Sequence, residues 1–207
     1  MIIAIESAST DVSIALADPD GTPRRVDGWS AGQRQSHELL PRIIALLRAD
    51  GRAIPAITAL AVGIGPGSFT GLRVGMSVAK GLAVVLARPI IGVPSLPAWL
   101  ESEPDATAAV ARAGARDAYL LRLDATSPEI VDRDALVDVA GPVVAPAELI
   151  EAFGLADARQ PLRAAAAVAR QAALRLRDDP AGDDLSRLEP AYLRAPRGVA
   201  QPAAGRS

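Results

Sequence analysis

Cysteine is absent from all 207 residues, which excludes disulfides, thiolate metal sites and cysteine nucleophiles. Histidine occurs once, at His37, so a zinc or iron site needing two histidines from one chain cannot form. No nucleophile-elbow motif accompanies it, and at the start of a helix His37 reads as a partly exposed structural residue. Aromatic side chains make up 3%, so a core must be assembled from small aliphatic residues. No run of 18 apolar residues occurs, and Met1–Glu6 lacks the features of a signal peptide; the expectation is a soluble, cytoplasmic protein without a membrane partner. Nor is there a basic excess. Twenty-two basic and 24 acidic residues give a net charge of −2, so RNA would have to be held by something else.

What is present is a chain half apolar, long enough for one large domain or two small ones. Its most constrained stretch is residues 61–75, Ala-Val-Gly-Ile-Gly-Pro-Gly-Ser-Phe-Thr-Gly-Leu-Arg-Val-Gly, which turns sharply between an apolar run and a helical one. Backbone N–H groups at such a helix mouth can hold an anion or another protein's carbonyls.

Ile2–Ile5 and Val12–Ala17 read as a hairpin, with a third strand near Arg24–Trp29 completing a meander. A helix is expected over about 38–48, capped by Ser36 or His37, with a wide apolar stripe of Leu39, Leu40, Ile43, Ile44, Leu46 and Leu47. Ile57–Gly63 is strand-like and leads through the glycine turn into a helix over about 71–86. There Gly71, Gly75, Ala79 and Ala83 form a ridge of small residues, suited to close helix packing. Pro89–Val93 is a short strand, followed by a brief helix at Ala98–Glu101. The order β-β-β-α-β-α-β suits a mixed sheet with helices on its faces. The polar stretch Glu101–Thr107 suggests a boundary, giving a first domain over 1–104, a smaller divergent one over 105–194 and a disordered tail over 195–207. In the second half, strands are expected near 108–111, 119–123, 130–132 and 143–144, and helices at 147–153 and 162–177.

Glu6 closes the first strand and is followed by Ser7, Ser9 and Thr10. An acid there can orient a metal-bound water in nucleotide-binding sheets, or can simply satisfy the turn backbone. Residues Gly63–Gly75 fit neither standard phosphate loop: Gly71 is followed by Leu72-Arg73 where Lys-Ser/Thr is required, and no carboxylate lies in 85–95 for a ribose.

Gly65-Pro66-Gly67-Ser68-Phe69-Thr70-Gly71-Leu72-Arg73-Val74-Gly75 closely resembles the core motif of the bacterial TsaB (YeaZ) family. Ile3–Ser9 looks like its opening strand, with Glu6 and Ser7 where aspartate and threonine are usual. Ser36–Pro41 resembles its first-helix segment, with Gln35 at the usual histidine place, and Glu189–Arg194 its closing motif. The resemblance covers about residues 1–100 and that coda; Arg112-Ala113-Gly114 departs from the pattern. It implies an α/β fold of the actin-like ATPase (ribonuclease H-like) superfamily, a mixed sheet with flanking helices followed by a smaller related second domain. It implies a non-catalytic subunit for threonylcarbamoyladenosine synthesis at adenosine 37 of tRNA. Such a subunit pairs with a metal-dependent catalytic paralogue as a heterodimer, helps recruit a small ATPase, and meets tRNA only through the complex. The expected partner interface is Leu39, Leu40, Ile43, Ile44, Leu47, Gly71, Gly75, Ala79 and Ala83. Glu6, Ser7, Gly65, Gly67, Ser68 and Thr70 are the candidate nucleotide or anion contacts. No catalytic residue, metal ligand or cofactor is assigned to this chain alone, though ATP or ADP could sit at the complex interface. The alternatives are a stand-alone ATPase, kinase-like or peptidase-like enzyme of the superfamily, and a structural homodimer.

Overall fold

The computed structural model describes residues 1–114, 116–137 and 139–191, so Tyr192–Arg194 of the coda and the expected tail over 195–207 lie outside the described residues. The first sheet begins with an antiparallel meander, β1 (Ile2–Glu6), β2 (Asp11–Ala17) and β3 (Pro23–Ser30). Then α1 (Gln35–Ala49) crosses over to β4 (Ala59–Gly63), which pairs parallel with β1, and α2 (Phe69–Leu86) to β5 (Ile90–Val93), parallel with β4. The strand order is β3-β2-β1-β4-β5. This is the mixed sheet with helices on its faces that the element order suggests.

Alternation along the strands sorts large from small side chains. Ile3, Ile5, Ile14, Leu16, Leu60 and Val62 point to the face covered by α1 and α2. Their neighbours Ala4, Ala15, Ala17, Ala59 and Ala61 point to the other face. That second face is closed by a helix from far along the chain, α6 (Ala164–Asp178), whose Ala165, Ala169, Ala172 and Ala173 lie against the sheet alanines. Small residues on both sides let helix and sheet approach closely.

After β5 the chain forms α3 (Ser95–Ser102), then a second sheet from β6 (Ala108–Arg112), β7 (Asp117–Arg122), β8 (Glu129–Asp132), β9 (Val143–Val144) and β10 (Ala158–Arg159), in the order β10-β9-β6-β7-β8. Its meander and its parallel β6–β9–β10 pairings repeat the plan of the first sheet. The short helices α4 (Arg133–Val137) and α5 (Ala147–Phe153) precede α6 (Ala164–Asp178). Ala8, Leu72, Leu96, Trp99, Ala111, Tyr119 and Val144 make a common core between the sheets. β2 ties it down with polar atoms: Asp11 Oδ2 accepts the N–H of Ala147 at the mouth of α5 (2.7 Å), and Ser13 Oγ accepts that of Ala165 in the first turn of α6 (3.0 Å).

Several helix starts differ from expectation, those of α1 and α2 most informatively. α1 begins at Gln35, with Arg34 at the cap position and no side-chain cap, so Ser36 and His37 are inside the helix. Gln35 is buried, and its amide donates to Ser9 O (2.5 Å), which ties the helix start to the first turn. α2 begins at Phe69, capped by Ser68, whose Oγ accepts from Gly71 N (3.2 Å).

Candidate functional site

The glycine turn spends several of its backbone donors on its own chain. Gly65, at φ +94°, gives its N–H to Ser95 Oγ (3.0 Å), and Ser68 N–H donates to Ala8 O (2.6 Å). Ser7 Oγ donates to Gly71 O (3.0 Å). Gly67 sits so close to Ala8 that a Cβ there would collide with the Ala8 carbonyl. The turn therefore clasps the β1–β2 hairpin, with no side chain between the two backbones. Of the six candidate anion contacts, Glu6, Ser7 and Gly65 are buried, Gly67 and Ser68 are half-buried, and Thr70 is exposed.

Glu6 is fully buried at the end of β1. Its Oε1 accepts from Ala8 N (2.8 Å), while Oε2 lies against Gly63 without a hydrogen-bond partner. The indole Nε1 of Trp99, also buried, is likewise unpartnered. Burial raises the carboxyl pKa from its ordinary 4.5 to about 7; the Ala8 amide and the nearby Ser95 and Trp99 donors oppose that rise only in part. Ser95 and Trp99 stand near enough to favour the anion yet outside hydrogen-bond geometry, so desolvation wins. Glu6 is a proton holder in a dry setting. Among the described residues no three His, Asp or Glu side chains converge as a metal ion would require.

The small ridge of α2 faces inward, which corrects the expectation that it receives a partner. Gly71, Gly75, Ala79 and Ala83 are all buried, and a Cβ on Gly75 would strike Ser7 Oγ. The ridge allows α2 to lie close on this chain's own first strand. On α1, Leu39, Ile43 and Leu47 are likewise buried in the core, so they too are withdrawn from any partner. Of the expected interface, Leu40 (39% exposed) and the half-buried Ile44 remain at the surface.

The outer face of α2, where the sequence places an apolar ridge of Val74, Val78, Leu82 and Leu86, is the more unusual surface. Phe69, Val84 and Val85 are 43%, 63% and 80% exposed, and Val74 and Val78 are half-buried. Arg73 lies over the Phe69 ring, its guanidinium 5.2 Å from the ring centre. Phe69, Arg73, Val74 and Val78, together with Ser36, Thr70 and Ser77, line a shallow groove of ≈ 420 Å³ between the helix starts. By length and composition α2 could cross a membrane, but its inner ridge is packed on a sheet. A mean apolar content that high, with one face outward, was available as a signal in Phe69, Val74, Val78, Val84 and Val85.

The family model for TsaD, tRNA N6-adenosine threonylcarbamoyltransferase, matches residues 30–151, more than half of the chain. The Escherichia coli K12 tRNA threonylcarbamoyladenosine biosynthesis protein TsaB is 39% identical over 95 residues, covering 46% of this chain and 40% of that protein. The Haemophilus influenzae TsaB is 36% identical over 101 residues, covering 49% and 42%. The chain belongs to the TsaB (YeaZ) family. Its match spans about two fifths of the length of those TsaB relatives. The fold of the TsaB family is seen in a Pseudomonas aeruginosa YeaZ structure, with a TM-score of 0.70, 23% identity, and 93% of this chain and 99% of that one covered. The likeness therefore extends through the second sheet, where the sequence motifs had faded.

Proposed function

We propose that this chain is a non-catalytic subunit in tRNA threonylcarbamoyladenosine biosynthesis that pairs with the metal-dependent TsaD-type catalytic subunit. The observation that carries this reading is the exposed apolar face of α2, with Phe69, Val84 and Val85 outward in a helix whose other side is already packed. Leu40 and Ile44 continue it on α1, one and two helical turns beyond Ser36 in the groove. One histidine and no cysteine leave the metal chemistry to the partner. Glu6 and the clasped glycine turn act as supports that set the angle of α2. Recruitment of a small ATPase, contact with tRNA through the complex, ATP or ADP at its interface and a cytoplasmic location belong to the same reading.

Gly81 supplies the test. It lies on the outer face with nothing within 4 Å of a Cβ, so Gly81→Leu leaves the monomer intact while filling the docking face. Modification of tRNA by the reconstituted pathway should require this chain and should be lost with Gly81→Leu. Full modification without the chain would remove the proposal.

A further inference from the structure

We propose that Arg73, stacked on Phe69, receives a carboxylate from the partner's facing helix, and that this charge selects an acidic partner over a second copy of the chain. The inference rests on the docking face proposed above and goes beyond it by naming the chemistry that the partner brings.

Charge is distributed unevenly along the chain. Residues 51–100 contain Arg52, Arg73, Lys80 and Arg88 but no aspartate or glutamate. The whole of α2 is therefore apolar and cationic, without an acid of its own. Several arginines on other helices are paired within the chain: Arg42 with Asp27, Arg170 with Glu101 and Arg175 with Asp183. Among the described residues Arg73 has no ion pair, only the ring of Phe69 beneath it. The other cation of α2, Lys80, has Asp184 in its neighbourhood, so Arg73 is the uncompensated one.

Stacking holds the planar guanidinium in place while leaving its N–H edge open to a carboxylate, and it lowers the entropy lost when that pair forms. The groove beside it is apolar enough for the pair to form with little water around it. In a symmetric pairing through this face, α2 would lie against its copy and oppose one acid-free cationic surface to another. A partner helix with apolar residues and a carboxylate at the height of Arg73 meets no such repulsion. The charge thus acts against the wrong partner as well as for the right one.

The probe is the TsaD-type threonylcarbamoyltransferase subunit from the same organism, titrated against the full chain. Arg73→Glu should weaken binding about 10- to 100-fold and Arg73→Gln by about tenfold, with melting curves unchanged because the side chain is exposed. Wild-type affinity should fall as salt rises, and Arg73→Gln should flatten that dependence. In sedimentation, a mixture of wild type and Arg73→Glu should associate more than either alone. Wild-type affinity in Arg73→Glu and Arg73→Gln, with Gly81→Leu still unable to bind, would overturn the role of Arg73 and leave the docking face standing. Wild-type binding by Gly81→Leu would overturn the face, and this proposal with it.

Discussion

Glu6 holds its proton into the neutral range because it is fully buried and the donors around it offset that burial only in part. The direction of the resulting pH effect is fixed by which state binds the proton more tightly. The native carboxyl titrates near 7 and the unfolded one near 4.5, so the stabilising contribution is complete below 4.5 and is lost as pH rises through 7. The gap is worth about 3 kcal/mol. Glu6→Gln, which carries no titrating proton, should therefore equal wild type near pH 4.5 and exceed it at pH 8 by up to about 3 kcal/mol in urea denaturation. An unchanged pH slope in the variant would count against a neutral native Glu6. That Glu6 ends a strand was readable from Ile2–Ile5 and the turn residues after it. Its dryness was not, because Gly63, Ser95 and Trp99 come from β4 and α3.

At the scale of single elements, α2 separates what periodicity can say from what it cannot. Spacing by four places Gly71, Gly75, Ala79 and Ala83 on one ridge, and the structure keeps that ridge intact. A helical wheel has no sense of which ridge faces home. Ser7 and Ile5, more than 60 residues away along the chain, decide it by leaving no room for a side chain at Gly75. Two glycines of the same helix should consequently respond with opposite signs. Gly75→Ala drives a methyl into Ser7 and should cost about 1–3 kcal/mol. Gly81→Ala meets open space and removes backbone freedom from the unfolded chain, so it should stabilise by about 0.5–1 kcal/mol. Equilibrium denaturation of the two variants checks the pair; the same sign for both would refute the assigned orientation. The short elements α4 and β10 went unread for a simpler reason: five and two residues are too few to show a period.

For the molecule as a whole, β2 bonds to the starts of two helices far along the chain. Asp11 serves the mouth of α5, 136 residues on, and Ser13 that of α6, 152 residues on. Neither contact has a local signature, since a cap is recognised in sequence only when it adjoins its helix. Asp11→Ala should cost about 1–2 kcal/mol and raise amide hydrogen exchange in α5 well above that in α1. Uniform exchange across both helices would mean that the second sheet does not depend on this latch. The large-against-small alternation of the first sheet was present in the strands throughout, but it does not say what covers the alanine side. That cover is α6.

The place of α6 in the chain orders events during synthesis. The first sheet's last strand ends at Val93, and the helix that seals its back is complete only at Asp178. At about 5–20 residues per second, the alanine face waits for roughly 4–17 seconds on the ribosome before its own cover emerges. During that interval the nascent chain offers chaperones a half-shielded sheet, and a message broken between these two points yields a product unable to close.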